Sequence, residues 1–446
     1  MTQPDLGPSC LWAHSAPAAG HSRHLLIDHL RGTAALAELF AEPFQAGPPA
    51  RYGGLIHDVG KAAPNWQARL AEVEALDHQA AARGERGRRT PVGIDHKTAG
   101  ALLAWTADQP HRLLGQLVSL IVYGHHGYIR SRGELEDCFD PGRPAPQTGR
   151  EPLPTTIRRV SGLVPEIMQR DALVLPPWFS AVPRDERLLA AELLTRMVAS
   201  AVYDADVLDT RQFTEGTDAP DLYGGPDLGG LAEEFEVRRA REVAGRASPV
   251  AAAREELAGL ARDAAAGAPG LVRMAFPTGA GKTMSAGRFA VHHAARWGHR
   301  RLIYAAPFLS ITTQNAAVMR TVFGAERVLE HHSGVDLDRW SGPEPGPGSR
   351  SGPLRGTAEN WDMPVVVTTV VQLFESLFSN KPSALRKVHR LAGSIIVLDE
   401  VQSLPDRLLL PILSALRHLA AYFGATVDGR GKRGSGTRSR MRRPAS

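Results

Sequence analysis

The stretch Leu55-Ile56-His57-Asp58-Val59-Gly60-Lys61 places an imidazole and a carboxylate on adjacent positions among apolar and small neighbours. Adjacent side chains leave a helix about 100° apart. Both reach one cation if another segment supplies donors from across a cleft. Neutral imidazole with carboxylate suits Mn, Fe, Ni, Co or Zn rather than Ca. Further donors follow in order: His29 upstream, His96 after Asp95, His125-His126 before Gly127, and Asp206 in Tyr203-Asp204-Ala205-Asp206. Each alone reads as an ordinary core or surface residue. Their joint order is a strong signal for a metal centre. Lysine is rare, six residues against 46 arginines, yet Lys61 and Lys282 both fall in motifs. His57, Asp58 and Lys61 are therefore the candidate catalytic group.

A second chemistry sits in Phe276-Pro277-Thr278-Gly279-Ala280-Gly281-Lys282-Thr283. An apolar stretch precedes this Gly-bearing turn and a helical pattern follows it. Backbone N–H groups at such a turn and at the helix start cradle phosphate oxygens. Lys282 would neutralise the β and γ phosphates and Thr283 would coordinate Mg²⁺. Val397-Leu398-Asp399-Glu400-Val401-Gln402 ends a later apolar run. There Asp399 would hold the Mg²⁺ of a bound ATP, Glu400 would orient the attacking water, and Gln402 closes the motif. His331-His332 has no evident partners for a metal site.

The elements that must position these residues change character along the chain. From Leu25 to Phe40 apolar residues recur at helical spacing, and His29 rides on that helix. Residues 50–75 read as a helix or helix pair carrying His57 and Asp58, residues 77–93 as an exposed loop, and 99–107 and 113–123 as helices. Residues 131–156 read as a surface insertion and 184–209 as helix. Strand patterns are almost absent, so residues 1–215 predict an all-α domain. Residues 216–250 are punctuated by Gly and Pro and predict a linker. Residues 251–427 alternate strands with helices and predict an α/β domain with a parallel sheet. Within them, 341–356 is a Gly/Pro/Ser loop.

Lys and Arg number 52 against 47 Asp and Glu, a net charge of +5 that by itself points to nucleic acid. Residues 428–446, however, hold seven basic residues and one acid, so the preceding 427 carry a net −1. Any DNA-binding surface of the body is then a local patch, and the tail reads as disordered or aberrant. Two cysteines, Cys10 and Cys138, make no disulfide framework. No signal-peptide pattern and no membrane-length apolar run is evident, which predicts a cytoplasmic protein without a membrane partner.

The order His29, His57-Asp58, His96, His125-His126, Asp206 resembles the HD phosphohydrolase superfamily. In particular it resembles the nuclease domain of the CRISPR-associated helicase–nuclease of type I systems, as does Ala62-Ala63-Pro64-Asn65-Trp66-Gln67. The resemblance implies one metal on His29, His57, Asp58 and Asp206, and a second completed by His96, His125 and His126. Pro277-Thr278-Gly279-Ala280-Gly281-Lys282-Thr283 is similar to the phosphate loop of superfamily 2 helicases, and Asp399-Glu400-Val401-Gln402 to their DExH box. Ala306-Pro307-Phe308 with Gln314, and Thr368-Thr369 with Gln372, resemble their nucleic-acid-contacting segments. The resemblance spans residues 11–427 and implies an HD-type domain followed by a RecA-like domain. It further implies two divalent transition-metal ions (Mn, Ni, Co or Fe), ATP with Mg, single-stranded DNA as substrate, and an RNA-guided CRISPR surveillance complex as partner. After Val427 the resemblance ceases. This predicts a C-terminal truncation, an incomplete helicase half, and a separate chain supplying the second helicase domain. The other expectations are an HD phosphohydrolase acting on nucleotides, and an inactive remnant that only binds ATP or nucleic acid.

Overall fold

The computed structural model describes residues 11–16, 22–83, 90–140, 147–148, 151–216, 224–245, 249–277, 279–333 and 353–430. Thr278, most of the loop read at 341–356, and the tail from residue 431 lie outside them. The chain divides into two compact units. One comprises Met1–Gly224, Arg350–Asp362 and Phe374–Ala392; the other comprises Gly225–Ser349, Met363–Leu373 and Gly393–Ser446.

The first unit is mainly helical. It opens with a short antiparallel pair, β1 (Trp12–His14) and β2 (His24–Leu25), in which His14 is opposite His24. The helices α1 (Leu26–Ala41), α2 (Gly47–Ile56), α3 (Pro64–Ala82), α4 (Thr98–Trp105), α5 (Arg112–Gly124) and α6 (Arg132–Cys138) follow. The two-residue strands β3 (Gln147–Thr148) and β4 (Glu151–Pro152) then lead into α7 (Leu153–Ser161) and the long α8 (Arg187–Glu215). On α1 the buried Leu26, Leu30, Ala34, Ala37 and Ala41 recur every three or four residues, one stripe facing the core. That stripe packs on α2 at a point with no room for a side chain. A Cβ on Gly54 would stand 2.7 Å from the Ala34 Cα.

The second unit is an α/β layer structure. Helices α9 (Ala232–Val243), α10 (Pro249–Ala264), α11 (Lys282–Trp297) and α12 (Leu309–Phe323) accompany a six-stranded sheet. Its strands are β5 (Leu271–Val272), β6 (Arg301–Ala306), β7 (Val328–His331), β8 (Val365–Thr369), β9 (Ser394–Leu398) and β10 (Thr426–Gly429). They lie in the order β5-β10-β9-β6-β8-β7, and every pairing is parallel. β6, β8 and β9 are buried at every position. That is why they read as continuous apolar runs rather than as alternating ones.

Three assignments made from the sequence change. The supposed linker over 216–250 contains α9, whose Phe235 packs on Phe323 in the core of the second unit. The supposed tail begins too early, since Asp428 and Gly429 pair with β9 inside the sheet. Residues 350–362 and 374–392 belong to the helical unit although strand–helix alternation assigned them to the α/β domain. They carry α13 (Pro353–Asn360), the end of α14 (Val370–Phe378) and α15 (Pro382–Leu385). The reason is electrostatic. Asp204, fully buried on α8, accepts hydrogen bonds from Asn360 Nδ2 at 3.0 Å and from Arg386 Nη2 at 2.9 Å. A carboxylate buried that deeply needs such partners.

Gly54→Ala is expected to lower stability at the upper end of the ~1–3 kcal/mol that overpacking costs, because its Cβ meets backbone rather than a movable side chain. Gly133→Ala on α6, with nothing within 4 Å of its Cβ, is expected to be neutral or slightly stabilising. Denaturant unfolding of the two variants checks the contrast.

Candidate metal centre

His57 and Asp58 do not lie within a helix, as the sequence reading had it, but at the end of one. α2 stops at Ile56, Asp58 leaves helical geometry (φ −112°, ψ 17°), and a short 3₁₀ turn over Val59–Ala62 follows. This break turns both side chains towards one point. The turn is sealed by Gly60, whose N–H donates to the His96 carbonyl at 3.0 Å. A Cβ on Gly60 would stand 2.2 Å from that oxygen. The glycine of the motif is thus what lets the His96 segment close over Asp58. Gln67 holds the turn from the other side, its amide donating to the carbonyls of Lys61 at 2.7 Å and Trp12 at 2.9 Å.

Around Asp58 the structure gathers two sets of donors. His29, His57, Asp58 and Asp206 form one; Asp58, His96, His125 and His126 form the other. Within each set one donor atom per residue lies within 4.8 Å of the others. Asp58 belongs to both. Its Oδ2 lies 3.2 Å from His29 Nε2 and 3.3 Å from His57 Nε2, and its Oδ1 lies 3.3 Å from His125 Nε2 and 3.5 Å from His96 Nε2. Asp206 Oδ1 stands 3.5 Å from both His29 and His57.

The second nitrogen of each of these four rings is occupied. Nδ1–H of His57 donates to the Gly54 carbonyl at 2.8 Å, that of His125 to Val122 at 2.6 Å and that of His96 to Ile94 at 3.1 Å. His29 Nδ1–H donates to the Asp209 carboxylate at 2.6 Å. Each acceptor fixes a tautomer that leaves Nε2 facing Asp58. His125 follows the end of α5 just as His57 follows the end of α2, and each takes the carbonyl three residues back in its own helix.

A divalent cation fits this cluster. Asp58 Oδ1, His96 Nε2 and His125 Nε2 are buried and make no hydrogen bond. Buried polar atoms are rarely left so, and imidazole with carboxylate is a donor set for transition metals. Burial opposes ionisation of Asp58, but Lys61 and His57 outweigh it and hold the carboxyl well below the usual carboxylate range. Burial would likewise lower His57, yet Asp58 and Asp206 push it up to about 10. Burial keeps His96 down to about 4, against the pull of Asp58, so that ring is neutral. Lys61 Nζ sits 2.5 Å from Asp58 Oδ2 and 5.5 Å from the centre of the Trp66 ring.

In the second unit, Gly279 and Gly281 adopt φ of 79° and 74°, the left-handed region that glycine tolerates. α11 begins at Lys282 directly after Gly281. Pro277 accepts from the Ala280 N–H at 3.3 Å, and Arg254 donates to the Gly279 carbonyl at 2.9 Å. Thr283 donates to Asn315 at 2.7 Å. Lys282 Nζ lies 3.4 Å from Glu400, which also accepts from Gln402. Asp399 at the end of β9 accepts from the Tyr304 hydroxyl at 2.9 Å. The turn, the lysine and the acidic pair therefore share one edge of the sheet. Thr278 lies outside the described residues. Arg430, from the stretch read as tail, is buried beneath the turn. It donates to Asp428 at 2.5 Å and to the Lys282 carbonyl at 2.8 Å.

Residues 12–201 match the family model described as Cas3, HD domain. This segment resembles the Cas3 HD domain. Across both units the chain shares the fold of T. fusca Cas3. One solved structure of that protein matches with a TM-score of 0.55 and 19% identity, covering 95% of this chain and 50% of that one. Its ATP form matches with a TM-score of 0.54 and 18% identity, covering 95% and 51%, and its ADP form with 0.54 and 17%, covering 95% and 50%. The chain thus spans about half the length of these proteins. No curated protein matches by sequence.

The matched residues include His29, His57, Asp58, His96, His125 and His126 of the cluster able to hold divalent metal. Sequence reasoning left three of its polar residues without a role. His14 and His24 flank His29, their rings 4.8 Å and 5.3 Å from it, and Asp209 holds its Nδ1. Asp209 lies one helical turn after Asp206, on the same face of α8, and that spacing was the available signal. Among the described residues no helix is long and apolar enough to cross a membrane.

Two outcomes are expected. If each set holds an ion, Asp58→Ala, which takes a donor from both sets, is expected to abolish binding at both, whereas His96→Ala weakens only one; the stoichiometry of Mn²⁺ binding by calorimetry separates them. The imidazolium proton held by the raised His57 must leave when a cation enters. Affinity at that set therefore falls as pH drops, and calorimetry in two buffers of different ionisation enthalpy measures the released proton.

Proposed function

We propose that the chain is a metal-dependent DNA nuclease of CRISPR antiviral defence. Its HD centre cuts single-stranded DNA, and its second unit binds ATP with Mg²⁺ as the first RecA-like domain of a superfamily 2 helicase. The observation that carries the nuclease reading is the pair of donor sets sharing Asp58. A two-ion site of this kind supplies a nucleophilic water at neutral pH and stabilises the attacking and leaving oxygens of an in-line displacement. Mn, Ni, Co and Fe suit the donors.

The chain's own groups do the rest. His29, His57, His96, His125 and His126, with Asp58 and Asp206, would hold the two cations. Lys61, beside Asp58, places a positive charge where a scissile phosphate gains negative charge. In the second unit Pro277, Gly279, Ala280, Gly281, Lys282 and Thr283 would cradle the phosphates, Lys282 would neutralise the β and γ phosphates, Asp399 and Thr283 would hold Mg²⁺, and Glu400, steadied by Gln402, would orient water. The support is the loop geometry, together with the solved T. fusca Cas3 structures named with ATP, ADP and AMPPNP. An RNA-guided complex would present the strand, base pairing would read its sequence, and the nuclease would need only backbone contacts.

The test is cleavage of circular single-stranded DNA with Mn²⁺ or Ni²⁺, with and without ATP. Asp58→Ala is expected to abolish cleavage while remaining folded. Lys282→Ala is expected to lose ATP binding but still cut the circle. Wild-type cleavage by Asp58→Ala would sink the nuclease assignment. Turnover of free nucleotides without DNA cleavage would favour the phosphohydrolase instead.

A further inference from the structure

Of the four rings that aim Nε2 at Asp58, three rest their Nδ1–H on backbone carbonyls and one, His29, rests it on a carboxylate. That carboxylate, Asp209, is built into place. It lies on α8 one turn beyond Asp206 and is almost wholly buried. Its Oδ2 takes the His29 proton at 2.6 Å. Its Oδ1 occupies space that only the missing side chain of Gly32 leaves open, for a Cβ there would stand 1.9 Å away. The rings of His14 and His24, the latter stacked on Phe213 at 4.2 Å, also pack against His29, and His24 Nε2 stands 3.8 Å from Asp209 Oδ2.

We propose that Asp209 is a positioning residue of the metal centre, acting through His29. It fixes the ring plane and tautomer, and its negative charge makes His29 Nε2 a stronger donor than a carbonyl-bonded imidazole. Outer partners of this kind change metal affinity by about 10–100-fold. Asp209 touches His29 and, at 3.8 Å, His24 Nε2, neither of which belongs to the second set, so its effect is confined to the set His29, His57, Asp58 and Asp206. The second set, with His96, His125 and His126, is untouched. The two cation positions are therefore unequal, and Asp209 contributes to the difference. This inference rests on the metal-centre reading above.

The test is titration of the purified full chain with Co²⁺, followed by visible absorption and calorimetry. The wild type, Asp209→Asn, Gly32→Ala and, as a charge control, Asp28→Asn on the exposed side of α1 are compared. Asp209→Asn keeps shape and an acceptor oxygen but removes the charge. It is expected to weaken one of two binding steps by about 10-fold or more and to shift the Co²⁺ spectrum of that step alone. Gly32→Ala, which displaces the same carboxylate without altering a polar group, is expected to weaken the same step. Asp28→Asn is expected to match the wild type. Wild-type affinity and spectrum in Asp209→Asn overturn the proposal. So does equal weakening of both steps, which is what a merely structural role would give. A folded wild type that binds no Co²⁺ removes the metal centre itself, and the role of Asp209 with it.

Discussion

The first unit depends on one buried carboxylate that faces imidazoles on two sides. Asp58 turns one oxygen to His29 and His57 and the other to His96 and His125. Water is excluded, so such a group is costly unless it meets positive charge. Lys61 supplies one positive charge at 2.5 Å. Asp58, His96 and His125 each keep a buried atom that makes no hydrogen bond. The local structure serves this arrangement: α2 ends early, Asp58 leaves helical geometry, and Gly60 lacks the Cβ that would keep His96 away.

The same device orients two of the imidazoles. A helix leaves its last carbonyls without intrahelical partners. His57 and His125 stand just beyond α2 and α5 and use Nδ1–H to satisfy the Gly54 and Val122 carbonyls. One contact thus closes a helix end and aims a metal donor. His29 lies inside α1, where the carbonyls are already engaged, so its Nδ1 needs a side chain instead and finds Asp209. α8 carries opposed duties within three residues. Asp204 faces Arg386 and Asn360, while Asp206, about 200° further round the helix, faces the imidazoles. α8 is therefore tied by a buried ion pair to the segment over 374–392 and by a hydrogen bond from Asn360 to the segment over 350–362.

In the second unit a parallel sheet brings strand ends to one edge, and the glycine-bearing turn before α11 and the acidic pair meet there. Arg430 shows how far that site extends. Its side chain lies buried between Asp428 and the Lys282 carbonyl, beneath the turn. It braces the loop from a strand distant in sequence.

By itself the sequence determined which residues are candidates for the chemistry and the class of fold around them. Imidazoles, carboxylates, glycines and the loop lysine announce themselves by type and spacing, and helical or continuous apolar patterns follow from local burial. Several things could not be read there. The break after Ile56 arises because Asp58 must meet four imidazoles at once. The role of Asp209 depends on α8 lying against α1. The transfer of residues 350–362 and 374–392 to the helical unit depends on Asp204 needing Arg386. The place of Asp428 and Arg430 depends on the next strand of the sheet. Each is a contact between segments far apart in the chain. Composition and periodicity report which residues are buried, but only the tertiary structure decides what each buried polar group finds opposite it.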